Sequence, residues 1–245
     1  MRIAVVSDIH GNLPALEAVV SDFMRRGVDA VLNLGDSLSG PLLPLETAQF
    51  LLSQDWIHIA GNHERQILTQ GPGQWCAEDA FAHSRLSAKE LDWLATLRSS
   101  ATFGEDVLLC HGTPTSDAKY FLETVTPTGI RAATAGEVVA RLGNATATLI
   151  VCGHTHTPRS VRSSTGQLIV NPGSVGLPAF EDTNPYKHVV ETGSPDARYA
   201  IVERRSASWI AALISVPYDH KAMADLAKTR HMRDWERALL SGYMA

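Results

Sequence analysis

Residues Met1–Asp36 read MRIAVVSDIHGNLPALEAVVSDFMRRGVDAVLNLGD. Ile3–Val6 is a short unbroken apolar run, the pattern of a strand covered on both faces. Asn12 suits a helix cap, Pro14 the first helical turn and Gly27 the stop. Between them Leu13, Leu16, Val20, Phe23 and Met24 recur at helical spacing and make one apolar face. Ala30–Leu34 is a second strand, so the chain opens as β-α-β, a crossover that implies parallel strands.

Beyond this unit the same alternation continues. Leu45–Leu52 reads as a helix, Trp56–Ala60 as a third strand, and residues 64–100 as mainly helical. Ser87-Ala88-Lys89-Glu90 is a capping box, in which hydroxyl and carboxylate each satisfy a free backbone N–H. Val107–Cys110 is a strand, Thr134-Ala135-Gly136-Glu137 opens a helix to about Leu142, and Thr148–Val151 is a strand. The pattern then changes to hairpins: Ser160–Ser163 with Leu168–Val170, and Arg198–Arg204 with Trp209–Val216. Two sheets packed face to face with helices outside satisfy both halves. The expectation is one domain over 1–245 with a helical tail at about 218–245, where Trp235 stands among charges. The Pro- and Gly-containing stretch Glu181–Pro195 reads as a loop, a plain surface loop first and the rim of a pocket as the alternative.

The 245 residues carry a formal net charge of −5 with 19% charged residues. Extended nucleic acid and anionic membrane surfaces select a basic face, so neither is an expected partner. A small ligand carrying phosphate and held through a metal stays open. Cys76, Cys110 and Cys152 are too few and too scattered for a disulfide framework or a thiolate zinc site. Asp8 interrupts the first apolar run before a secretory core can form. A cytoplasmic setting is expected.

One arrangement recurs five times. IAVVS is followed by Asp8-Ile9-His10, AVLNLG by Asp36, WIHIAG by Asn62-His63-Glu64, VLLC by His111-Gly112, and LIVCG by His154-Thr155-His156. Each apolar run ends and a potential ligand follows, and loops beyond the carboxyl ends of parallel strands gather in one crevice. Residues at i and i+2 of extended chain share a side, which pairs Asp8 with His10 and His154 with His156. Gly35, Gly61 and Gly153 suit sharp turns just before the ligands. Any one of these blocks taken alone is more often surface decoration or a turn, but five in order are not. His58, His83, His188, His220 and His231 lack this context and read as structural or exposed. The donors Asp8, His10, Asp36, Asn62, His111, His154 and His156 exceed the four of a tetrahedral zinc site and suit two metals sharing a carboxylate. Oxygen and imidazole donors without thiolate favour manganese, iron, cobalt, nickel or zinc over calcium; manganese is the first expectation.

The ordered set Asp8-x-His10, Gly35-Asp36, Gly61-Asn62-His63-Glu64, His111-Gly112 and Gly153-His154-x-His156, with Asn171-Pro172-Gly173-Ser174-Val175-Gly176, resembles the calcineurin-like metallophosphoesterases, in particular their small bacterial and archaeal phosphodiesterase branch. The resemblance implies an α/β fold, a four-layer α-β-β-α sandwich of two mixed sheets flanked by helices. It implies one metal on Asp8, His10 and His156, another on Asn62, His111 and His154, and Asp36 bridging both. His63 would then be a free catalytic histidine and proton donor, and Glu64 a support for its loop. Two divalent metal ions would share a hydroxide that attacks the phosphorus of a small phosphoester or nucleotide, monoester or diester. A catalytically inactive metal-binding scaffold of the same fold, or another dinuclear-metal hydrolase, are the alternatives; Asn62 beside a free His63 argues against both. Arg65, Thr113, Lys119 and Arg131 are secondary candidates for phosphate contact. The sequence is nearly silent on oligomeric state.

Overall fold

The computed structural model describes residues 1–206 and 208–245. In chain order the elements are β1 (Arg2–Val6), α1 (Leu13–Arg26), β2 (Ala30–Asn33), α2 (Pro44–Leu52), β3 (Ile57–His58), α3 (Asn62–Thr69), α4 (Ala77–Arg85), α5 (Ala88–Thr96), β4 (Ser100–Phe103) and β5 (Val107–Cys110). There follow β6 (Glu123–Thr126), β7 (Gly129–Ala132), α6 (Ala135–Leu142), β8 (Leu149–Val151), β9 (Arg159–Arg162), β10 (Leu168–Asn171), β11 (Ala179–Asp182), β12 (His188–Glu191), β13 (Ala197–Arg205), β14 (Ser208–Val216), α7 (His220–Thr229) and α8 (Arg233–Ser241). Among the described residues no helix is long and apolar enough to cross a membrane.

Two five-stranded mixed sheets carry the structure, ordered β14-β13-β1-β2-β3 and β4-β5-β8-β10-β9. In the first, β1 runs parallel to β2 (Ile3 opposite Ala30) and antiparallel to β13 (Ile3 opposite Val202). In the second, β5, β8 and β10 are parallel, with Val107 opposite Leu149 and Leu149 opposite Leu168. Successive side chains of a strand point to opposite faces, and both faces are used here. Ile3, Val5, Leu32 and Leu34 meet Val107, Leu109, Leu149, Val151, Leu168 and Val170 between the sheets. Ala4 and Val6 turn outward onto Leu16, Val19 and Phe23 of α1. On the far side Cys110, Ile150, Cys152 and Ile169 pack against Val138 and Leu142 of α6. The result is helix, sheet, sheet, helix: the four-layer α-β-β-α sandwich. Burial on both faces is why these strands read as unbroken apolar runs rather than alternating ones.

Local chemistry sets the helix ends. Asn12 accepts from the N–H of Ala15 to start α1, and Gly27 (φ +70°) ends it. Thr134 and Glu137 form the capping box that opens α6.

Two features depart from the reading of the sequence, and others fill in what it left open. Two short hairpins, β4–β5 and β6–β7, lie in the half that reads as β-α alternation; β4 and β6 are four residues each, too short for a strand period to stand out. The stretch Glu181–Pro195 holds β12 and the end of a β11–β12 hairpin rather than a loop, and this hairpin borders the cleft described below, the rim position that the sequence left open. Trp235, which stands among charges in the sequence, is 5% exposed and packs with Leu42, Leu177, Met223 and Leu239 in a cluster of its own beneath α7 and α8.

Candidate metal centre

Every predicted site residue lies at or just beyond the end of a strand. Asp8 and His10 follow β1, Asp36 follows β2, and Asn62 and His63 form the first turn of α3 after β3. His111 follows β5, and His154 and His156 follow β8. The loops are laced together by backbone bonds, Asp8 N to Gly35 O (3.0 Å), His10 N to Asp36 O (3.0 Å) and Gly153 N to His111 O (2.7 Å). The last of these ties two strands of the second sheet at the same end.

The backbone that aims these ligands is not extended. Asp8 (φ +54°), His10 (+52°), Asp36 (+51°), His154 (+69°) and His156 (+53°) all occupy the left-handed region, which among the described residues only two other non-glycine positions share. Such residues cost of order 1 kcal/mol or more each and persist where the surroundings enforce them. Side chains of Asp8 and His10 therefore converge through tight turns, not through the period of a strand. The glycine expectation also needs revision. Gly61 and Gly153 do not have positive φ; a Cβ at Gly61 would meet Asp36 Oδ1 at 2.2 Å, and one at Gly153 would meet Ser7 Oγ at 2.0 Å. They are glycine because a ligand loop passes against them.

The donors fall into two groups, Asp8 with His10 and His156, all buried, and the buried Asp36 and His111 with the partly exposed His154. His154 and His156, one residue apart, thus serve different groups, although spacing alone pairs them. His111 Nε2 lies 2.9 Å from Asp36 Oδ2 and 3.9 Å from Asp8 Oδ1, so the groups adjoin. Three imidazoles are held by the same device. Nδ1 donates to a backbone carbonyl: His10 to Ser39 (2.7 Å), His111 to Leu34 (2.8 Å) and His156 to Leu177 (2.8 Å). In its neutral form each ring then turns an Nε2 lone pair toward the centre, the orientation second-sphere bonds impose on metal ligands.

Without a cation this arrangement is costly. Nε2 of His10 and Nε2 of His156 face each other at 3.1 Å, two acceptors in contact whenever both rings are neutral. Asn62 Oδ1 is buried and unpartnered, and an unsatisfied buried polar atom costs roughly 1–3 kcal/mol. Divalent cations resolve these conflicts together. The site thus fits metals by its own geometry.

Charge in the cluster is arranged consistently. Burial opposes ionisation of Asp8 and Asp36, but the facing imidazoles outweigh it: His156 and then His111 for Asp8, His111 and His63 for Asp36. Both carboxyls are held below the ordinary range. Burial, aided by His156, pushes His10 down to about 3, and burial with His111 holds His154 at about 4. Burial also acts on His111, but Asp36 raises it to about 9.

His63 stands beside the donors rather than among them. Its backbone N–H donates to Asp36 Oδ1 at 2.9 Å, and its ring meets that of His10 edge-on at 5.6 Å. Its Nδ1 donates to Asp79 Oδ1 at 2.8 Å. Burial works against the imidazolium, but Asp36 and the bond to Asp79 prevail and hold its pKa well above the usual value. Glu64 does not face the cleft. It accepts three backbone N–H bonds, from Asp36 (2.8 Å), Ser37 (2.8 Å) and Gly61 (2.7 Å), and so locks two ligand loops together.

A cleft of about 670 Å³ opens over this cluster. Phe180 stands edge-on to His156 at 4.7 Å and Trp235 to His10 at 5.9 Å. Tyr120 meets His154 edge-on at 5.0 Å and donates its hydroxyl to Nε2 of His188 (3.0 Å). His188, read as structural or exposed, is 3% exposed and supports this wall. Of the secondary phosphate candidates, Arg65 is paired with Asp117 and Arg131 with Glu137. Thr113 is buried, and Lys119 borders the cleft. Asp79, Tyr120, Arg141 and Trp235 also border or support the site and escaped the sequence reading. Asp79 sits sixteen residues past His63 in a polar helix, and no spacing rule links the two.

A family model described as the calcineurin-like phosphoesterase superfamily domain matches residues 1–193. A curated uncharacterized protein of Methanocaldococcus jannaschii is 25% identical over 246 residues, covering 95% of this chain and 94% of its own. Among solved structures, a metallophosphoesterase from Sphaerobacter thermophilus superposes with a TM-score of 0.78 at 24% identity, covering 99% of both chains. A hypothetical protein from Pyrococcus horikoshii gives 0.75 at 17% identity, covering 100% of this chain and 99% of its own.

Proposed function

Because the chain belongs to the calcineurin-like phosphoesterase superfamily, we propose that it is a hydrolase of small phosphodiesters or phosphomonoesters, nucleotides among them, working with two divalent cations, manganese foremost. The observation that carries this reading is the pair of adjoining donor groups, each with a carboxylate and two imidazoles. Asp8, His10 and His156 would hold one cation; Asn62, His111 and His154 the other; Asp36 would reach both. Bound there, the cations acidify water and take up negative charge from the phosphoryl oxygens.

The protein's own groups do the rest. The backbone carbonyls of Ser39, Leu34 and Leu177 keep three rings in the tautomer that leaves Nε2 free. Asp79 holds His63 by Nδ1, which leaves Nε2 to carry a proton to the departing oxygen. The aromatic wall of Phe180, Trp235 and Tyr120 limits solvent and accepts the organic part of a small ester. Trp235 brings α8 into the same cleft, which supports 1–245 acting as one domain. Buried thiols at Cys110 and Cys152 suit a reducing, cytoplasmic setting.

The test uses aryl mono- and diesters, cyclic nucleotides and dinucleoside polyphosphates. Chelation is expected to abolish turnover of at least one of them and manganese to restore it; full turnover after verified metal stripping refutes the reading. His63→Ala is expected to keep its metals and lose about 10²–10⁴-fold in turnover, most for poor leaving groups. A normal rate would remove His63 from the mechanism.

A further inference from the structure

Three side chains outside the two donor groups meet at one corner of the cleft. Ligand atoms of His63, Cys76 and Asp79 lie within 4.8 Å of one another. Cys76 caps the N-terminus of α4, its sulfur accepting the N–H of Asp79 at 3.5 Å, so one helix start presents both residues to His63 on α3. Asp79 is 1% exposed. Its Oδ1 is taken by His63, whereas its Oδ2 has no partner among the described residues. A buried carboxylate oxygen left unpaired calls for an unseen partner. Cys76 is exposed and borders the cleft, so a solute entering the cleft reaches this corner.

We propose that His63, Cys76 and Asp79 form a third metal site, separate from the two donor groups, that takes a soft divalent cation such as zinc or cadmium. Thiolate, imidazole and carboxylate are each established zinc donors, and a three-residue set leaves a fourth position for water. The thiolate distinguishes this corner from the all-oxygen-and-nitrogen centre beside it and selects zinc or cadmium over manganese. Tetrahedral zinc spaces its donors roughly 3–4 Å apart, so the cluster closes by about 1 Å, a shift that rotation of the exposed Cys76 side chain supplies. On binding, the Cys76 thiol and the protonated His63 ring each give a proton to water, and the freed sulfur and ring nitrogen take the metal. A metal on His63 also removes the proton donor; that consequence rests on the role proposed above for His63, whereas the binding site does not.

The experiment titrates cadmium into the full-length protein held in excess manganese and reads the ultraviolet thiolate-to-cadmium charge-transfer band. The other two cysteines are buried, so the band reports Cys76. Cys76→Ser is the control, since serine keeps the helix cap and loses the thiolate. A saturable band in the wild type, absent in Cys76→Ser and shifted about tenfold to weaker binding in Asp79→Asn, supports the site. No band in the wild type, or a band that survives in Cys76→Ser, overturns it. Hydrolysis is followed in the same samples. Loss of turnover that tracks the band supports both the site and the role of His63; a saturated band with undiminished turnover keeps the site and overturns that role.

Discussion

Gly153 shows how tightly single residues are specified at the centre. A methyl group there would lie 2.0 Å from Ser7 Oγ and 2.8 Å from Asp8 Oδ2, so Gly153→Ala pushes on a ligand and on the strand end that carries it. The expected outcome is a loss of metal affinity with about 1–3 kcal/mol of destabilisation from overpacking. Equilibrium dialysis and urea unfolding check the two effects separately. The proposed ligand residues stand out in the sequence because each carries its own chemistry: aspartate, asparagine and histidine directly after an apolar run. The grouping of His154 with His111 and of His156 with Asp8 was not legible from spacing, because left-handed backbone at both histidines sends the two rings apart. Asp79 left no trace in the sequence, since its role is created by the approach of α4 to α3.

At the scale of elements, β3 and its neighbours supply a pH-dependent term remote from the metal ligands. His58 Nδ1 accepts from the Asn33 amide at 3.2 Å, and the ring stacks on Trp56 and meets Trp93 of α5 edge-on. Burial lowers its pKa from 6.5 to about 4. Between those values the unfolded chain takes up a proton that the folded chain refuses, so stability is full above pH 6.5 and falls as pH drops toward 4. Folding is expected to lose about 2 kcal/mol between pH 7 and pH 5 on this account. In the presence of chelator, His58→Gln should show a urea midpoint that varies less over that interval; an unchanged slope would exclude His58 as its source. Most elements were legible wherever caps and apolar period agreed, as in α1 and α6. The strands β4, β6, β7, β11 and β12 were not, because a four-residue strand with polar positions is held by its partner and by tertiary contact rather than by its own period.

Across the whole molecule, the four layers follow from strands apolar on both faces, and that much could be read directly. Which strands neighbour which could not: β13 lies beside β1 although almost two hundred residues separate them, and only the register of Ile3 with Val202 and Val5 with Ala200 reveals it. The polar α8 likewise hides its task, since Trp235 finds its cluster only once α7 and α8 fold back over Leu177.

The position of β1 has a bearing on how the protein is made. One edge of β1 is covered by β2, a single helix further along, whereas the other edge is covered only by β13, almost two hundred residues later. A nascent chain halted at residue 193 holds every proposed ligand but offers a bare, apolar ribbon to its neighbours, the template on which chains cross-pair. Such a chain is expected to bind chaperones or precipitate rather than take up metal, and light scattering of the 1–193 fragment measures it. Uptake of metal at the proposed centre is thereby expected to wait for the arrival of β13.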